Sequence, residues 1–171
     1  MQNIFLKFEG ADPLKGESTS GDGKDQIELL SFSHGVSMPL SSGEKSNTSR
    51  LHGRCYHQDF TVTKYVDKTT PMLNQYCSGG NNITKATITV YQASESQSAS
   101  APIDFCTYTM ENVIISSVSV GAGGGDLPIE TVTLNYTKIT WAYKIQKQES
   151  PGTAESGTTT ASWNLATNKA A

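Results

Sequence analysis

Alternation of apolar and polar residues, the period-two signature of half-buried strands, recurs along most of this chain. Ile4, Phe5, Leu6 and Phe8 mark a short N-terminal strand, and Ile27, Leu29, Leu30 and Phe32 mark a second over residues 25–33. Residues 56–65 resume the alternation through Tyr56, Gln58, Phe60 and Val62, and residues 83–91 continue it through Ala86, Ile88 and Val90. A long β-branched run follows at 103–120, and ETVTLNYTKITWAYKIQ (130–146) carries the strongest strand signal of all. There Val132, Leu134 and Tyr136 share one parity, whereas Ile139, Trp141, Tyr143 and Ile145 share the other. That switch predicts a bulge or bend between Tyr136 and Ile139.

One segment changes rhythm. In TTPMLNQYCSGG, Met72 with Tyr76 and Leu73 with Cys77 stand four apart, which predicts a short α-helix over about residues 70–78. Thr70 is placed as its N-cap, Pro71 at the first helical position, and Gly79 or Gly80 at the left-handed C-terminal cap. Met72, Leu73, Tyr76 and Cys77 form the face expected to pack on the β structure and cover an open edge or end. Between these elements, residues 35–54 read as a long polar loop, 93–102 as a low-complexity turn and GAGGGD (121–126) as an inter-strand loop. Residues 151–171 read as a Gly/Ser/Thr/Ala-rich tail with one aromatic, Trp163. About seven strands and one helix predict a single mainly β domain over 1–171, a sandwich or closed barrel with a helix on its flank.

Composition narrows the function classes. Charged residues make up 17% of the 171, below the roughly 25% usual for soluble domains, and Ser and Thr take their place. Neutral polar faces of that kind suit contacts with other subunits. A net charge of −3 without a basic stripe excludes a general nucleic-acid binder, which needs cations to displace counterions from phosphates. Cys55, Cys77 and Cys106 are widely spaced and odd in number, which points to a reducing compartment. Ile4-Phe5-Leu6 is too short for the apolar core of a signal peptide, and no segment approaches the roughly 20 apolar residues of a membrane helix. The expectation is synthesis in the cytoplasm without membrane insertion.

Candidate chemistry is sparse. His52, Cys55 and His57 form H-x-x-C-x-H with Asp59 close behind, residue types that bind zinc. A strand puts Cys55, His57 and Asp59 on one face but leaves the fourth ligand to come from elsewhere, so loop and strand-end roles are the better reading. GAGGGD lacks the Lys-Ser/Thr and the following helix of a phosphate loop, and no G-x-S-x-G elbow is present. Glu9/Asp12 and Asp22/Asp25 fall in loops as solvated charge. Asn47, Asn82 and Asn135 match the glycosylation sequon, but Asn135 lies mid-strand and the chain shows no secretory leader. Neither an enzyme nor a cofactor or metal site emerges.

Several segments, in order and nearly end to end, resemble the haemolysin-coregulated protein (Hcp) family of bacterial type VI secretion. They are IFLKFEG with KGES (4–18), IELLSFSHGVS (27–37), FTVTKYVDKTTPMLNQYCSGG (60–80), VIISSVSVGAGGG (113–125), ETVTLNYTKITWAYKIQ (130–146) and SWNL (162–165). The resemblance implies a two-sheet β-barrel with one flanking helix, assembled into hexameric rings that stack into a tube. It implies no catalysis and no cofactor. The partners implied are further copies of the chain, small effector proteins held in the lumen, a spike protein and a contractile sheath, with export that uses no cleaved signal peptide. Ser33 matches a lumen-facing serine of the family, and His34 stands where the family commonly has an aromatic residue such as Trp, so both are candidates for effector contact. Ser37, Gly43 and Arg50 in the long loop, with Gly121, Gly123, Gly124 and Asp126 in the glycine loop, are candidates for ring or stacking contacts. SRLHGRCYHQDF (49–60) follows the family only loosely, and too few residues follow Lys147 for a fused toxin domain. The alternative reading is a secreted β-sandwich binding module, fimbrial or carbohydrate-binding, which should carry a leader and, in a fimbrial subunit, paired cysteines. A small hydrolase on a β-barrel is the third.

Overall fold

The computed structural model describes residues 2–21, 23–40, 53–92, 103–146 and 154–171. Its strands are β1 (Gln2–Glu9), β2 (Ile27–Leu29), β3 (Ser31–Ser33), β4 (Val36–Ser37), β5 (Tyr56–His57), β6 (Phe60–Tyr65), β7 (Asn82–Gln92), β8 (Ile103–Gly121), β9 (Ile129–Asn135), β10 (Lys138–Gln146), β11 (Ala154–Asn164) and β12 (Lys169–Ala170). A 3-10 turn spans Asp12–Leu14, and helix α1 (Thr70–Gly79) joins β6 to β7. The chain is therefore mainly β, with one α-helix among the described residues.

Every strand pairing is antiparallel. The main sheet runs β12-β11-β10-β8-β7-β1-β2, with β9 on β8, β6 on β9 and β3 on β6, while β4 and β5 pair only with each other. Among the described residues the main path ends at β12 and at β2 and the branch ends at β3, and Leu30 between β2 and β3 donates its N–H to the Thr63 carbonyl of β6. Strand β8 and the β9–β10 pair form one long hairpin, paired from Gly121↔Ile129 back to Cys106↔Tyr143 with one register shift between Ile115 and Ser117. The core lies between the curved faces, around Phe60, Val62, Ile88, Met110, Leu134 and Ile139, all at 0% exposure.

The hairpin bends where its hydrophobic parity switches. Strand β9 stops at Asn135 and β10 starts at Lys138, so Tyr136 and Ile139 can both be buried. The facing strand switches too, with Met110 and then Val113 inward. Between them Asn112 takes left-handed φ (52°), a conformation that Asn tolerates better than most residues, and its Nδ2 donates to Thr137 Oγ1 at 3.1 Å.

Four expectations need correction. Residues 25–33 are not one strand: β2 pairs β1 and β3 pairs β6, with the change of partner at Leu30, which is exposed. Residues 56–65 likewise divide at Gln58-Asp59, so Tyr56 faces solvent although Phe60 and Val62 are buried. The loop assigned to 35–54 contains β4, and its residues 41–52 lie outside those described. Within the tail of residues 151–171, β11 pairs β10 from Ala154↔Gln146 to Asn164↔Lys138, and Trp163 is partly buried. Among the described residues twelve strands, several of two or three residues, replace about seven.

Candidate assembly and cargo surfaces

Helix α1 is fixed to the sheet by a buried charge cluster at its start. On β6 the inward series Phe60, Val62 continues to Lys64; on β9 the series Leu134, Val132 continues to Glu130. These two residues are register partners, with side chains 1% and 0% exposed and 2.5 Å between Lys64 Nζ and Glu130 Oε1. Lys64 Nζ also reaches Asp67 Oδ1 at 2.8 Å and donates to the Tyr65 carbonyl at 2.9 Å. From the helix side, Thr70 Oγ1 donates to Glu130 Oε1 at 2.9 Å, while Thr69 donates both its N–H and its hydroxyl to Asp67 Oδ1. Burial alone would raise the Asp67 carboxyl, but the Lys64 ammonium and the Thr69 donors hold it below its ordinary value. The N-cap is Thr69, one residue earlier than expected and without a side-chain cap bond, because its own hydroxyl donates to Asp67, while the Thr70 hydroxyl goes to Glu130. Leu73 is buried, and Met72, Tyr76 and Cys77 pack partly against the core. Gly80 closes the helix at φ 61°, its N–H bonded to the Cys77 carbonyl and that of Asn81 to the Tyr76 carbonyl. The sequence signal for the cluster was two charged residues in phase with inward apolar positions, one on each of two strands.

Ser33 and His34 part company. Ser33 is exposed on β3 opposite Thr61, whereas the His34 ring stacks on Phe60 at 5.1 Å between centroids. Tyr136, His57 and Trp141 complete the surround at 6.0–6.3 Å. Both His34 ring nitrogens are buried without a well-formed partner, so of the two candidates Ser33 alone offers a polar atom to solvent. Beside this cluster β4 and β5 line one side of an open, apolar hollow of about 310 Å³, with Val36, Met38, Cys55, His57, Trp141 and Trp163 around it. His57 Nδ1 is 3.3 Å from the Tyr136 hydroxyl. Burial, then the charge of Asp59, pushes the Tyr136 phenol above its ordinary range. Cys55 Sγ lies 3.8 Å from Asn168 Oδ1, and Asp59 accepts from Ser116 and Asn135. Of the zinc-type residues His52 lies outside those described; no cluster of three His, Cys, Asp or Glu suited to a metal occurs among the described residues.

The assembly candidates are exposed where they are described. Ser37, Gly121, Gly123, Gly124 and Asp126 all face solvent, whereas Gly43 and Arg50 lie outside the described residues. Apolar side chains flank the glycine loop: Val120, Leu127 (69% exposed) and Ile129, with Tyr65 opposite Ile129 on β6. A larger cavity of about 580 Å³ lies between residues 17–20 and the end of β6. Three carboxylates line it: Glu17 accepts from the Lys68 N–H, Asp67 is held by Lys64 and Thr69, and Glu28 is the third.

Residues 5–143 match the family described as "Type VI secretion system effector, Hcp". The chain belongs to the Hcp family. It is 32% identical over 168 residues to Protein hcp1 of Pseudomonas aeruginosa, a match covering 97% of this chain and 96% of the relative. It is 26% identical to the Major exported protein of the same organism over 129 residues, 71% of each chain. A solved structure described as that of a type six secretion system protein superposes with a TM-score of 0.86 at 27% identity, covering 100% of both chains. This Hcp chain is thus a member of a family of secreted type VI proteins, and no helix among its described residues is long and apolar enough to cross a membrane.

Proposed function

We propose that this Hcp-family chain is a non-catalytic tube subunit: hexameric rings of it stack into a tube that leaves the cell through the type VI machine and carries small effectors in its lumen. The observation that carries the reading is the match to the Hcp family over residues 5–143. Export then runs from the cytoplasm without a cleaved signal, with a spike protein and a contractile sheath as partners.

Two features support assembly. Strand β12 pairs only with Trp163 and Asn164, so the outer edge of β11 over residues 158–161 has no strand partner among the described residues. That edge is Thr-rich and uncharged, the kind of edge that accepts another chain. The apolar residues around the glycine loop give a second face, and two unlike faces make the heterologous contact that closes rings and leaves stack ends open. In this reading Ser33 faces the lumen, and Ser37, Gly43, Arg50, Gly121, Gly123, Gly124 and Asp126 meet neighbouring copies. Negative-stain images of the purified chain should show annular particles, and effectors should copurify with them. Images of small compact particles at every concentration would favour the secreted binding module instead.

A further inference from the structure

We propose that the outward face of β3, β6, β9 and β8 is a charge-free grid of hydroxyls that holds cargo by neutral hydrogen bonds. Its occupant is an extended segment of an effector with Ser, Thr, Asn or Gln at alternate positions. In the tube reading, on which this rests, Ser33 faces the lumen, so the grid is the wall that cargo meets.

Strand register assembles the grid. Ser31 pairs Thr63, Thr63 pairs Thr131 and Thr131 pairs Ser119, which makes one row of hydroxyls across four strands. Ser33, Thr61, Thr133 and Ser117 make a second row in the same way. The row between them, Phe32, Val62, Val132 and Val118, points to the other side, into the core or against it. The four serines are exposed, and the four threonines, on the two central strands, are half-buried. Of these hydroxyls, only that of Thr133 is engaged by another described side chain, Ser116 Oγ at 2.8 Å.

Charge is placed against the usual rule. A half-buried antiparallel strand ordinarily keeps its polar and charged residues outside and its apolar ones inside. In β3, β6, β9 and residues 115–121 of β8, the charged residues are Lys64 and Glu130, and both turn inward and pair with each other. Tyr65, Ile129 and Gly121 bound the grid at one end. At the other, the border carboxylate, Asp59, is already occupied by Ser116 and Asn135.

This arrangement selects a partner. A hydroxyl both donates and accepts and rotates to suit, so the grid meets amide and hydroxyl groups in either sense. A charged cargo group pressed against it would lose hydration and find no opposite charge. Spacing adds a second constraint. Paired strands lie ~4.8 Å apart, and same-face residues repeat every ~6.7 Å along each. An extended segment laid along the strands repeats at the same ~6.7 Å on its own facing side, so alternate polar side chains meet the hydroxyls in phase. With no ion pair in it, the contact is indifferent to ionic strength.

Threonine methyl NMR of the full chain reads the grid directly. The probe is a short uncharged peptide with Asn at alternate positions and Gly or Ser between, compared with versions in which Lys or Glu replaces Asn. The neutral peptide should shift the Thr61, Thr63 and Thr131 methyl signals, with the same affinity at about 0.05 and 0.5 M salt. Read at Thr61, Thr63→Val/Thr131→Val, which keeps side-chain shape and strand preference, should weaken binding at least about fivefold, whereas Thr63→Ser/Thr131→Ser should stay within about twofold. Tighter binding of the Lys or the Glu peptide at low salt overturns the proposal, as does the absence of any shift. A valine pair that binds as well as the parent, or a serine pair as weak as the valine pair, overturns it too. If the valine pair does not fold, the salt series and the charged peptides decide on the parent chain. Scattering mass on the same samples reports ring formation separately. Rings whose threonine signals ignore the neutral peptide sink the grid and leave the tube, and a monomer that still binds it keeps the grid and loses the tube.

Discussion

Replacing Lys64 with Met tests the helix anchor most sharply. Lys64 is 1% exposed and compensates Glu130, 0% exposed, and Asp67, 18% exposed. Its removal leaves Glu130 buried without a cation, an imbalance that costs about 3–5 kcal/mol in comparable settings. For a chain of this size that corresponds to a melting temperature lower by about 6–20 °C. Lys64→Met/Glu130→Leu removes the buried pair together, and Asp67 keeps its Thr69 donors and its access to water. The double variant should therefore recover to within about 1 kcal/mol of the parent or exceed it, since apolar replacement of a buried pair is often neutral or stabilising. Urea unfolding followed by far-UV circular dichroism gives the cycle. Scattering mass must match between variants, because association adds to apparent stability. A Lys64→Met loss under about 1 kcal/mol, or a double variant no better than the single one, would refute the argument that the pair is buried and mutually compensating.

Other expectations concern the helix and the lumen. Leu73→Asp puts a carboxylate into a site 1% exposed and should abolish soluble yield, whereas Leu73→Ala should fold at a cost of about 2–5 kcal/mol; soluble, folded Leu73→Asp would mean that the helix face is not inward. Gly80→Ala meets no atom within 4 Å, so only the left-handed backbone resists it, and a loss of roughly 1–2 kcal/mol in thermal unfolding is expected, with Gly80→Asn milder. Ser33→Gln should leave particle mass unchanged and reduce the effector that copurifies; broken rings would place Ser33 in the subunit interface instead.

Much of this fold was legible because burial imposes a period. Alternation marked β7 and the β9–β10 pair, a long β-branched run marked β8, and the parity switch at 136–139 located the bend, since one extra residue must be absorbed where inward positions change phase. The helix was legible through Pro71, the four-apart pairs and the glycines. Strand β11 was not. Its residues 158–161 are exposed on both faces, so SGTTTAS carries no contrast between inside and outside. Nor was the exchange of partners at Leu30, which depends on which strands lie alongside rather than on residue type. His34 was read as a lumen residue beside Ser33. His34 lies just past the end of β3, and the aromatic surround that claims it comes from β5, β6 and β10, distant in sequence. Lys64 and Glu130 show the same limit: their pairing follows from strand register, which a single segment does not reveal.

Light scattering behind size-exclusion chromatography, across a wide concentration range near neutral pH, tests the central claim most directly. The account predicts a mass near six times the 18.4 kDa chain, with larger multiples as rings stack. A clean monomer at every concentration would contradict it.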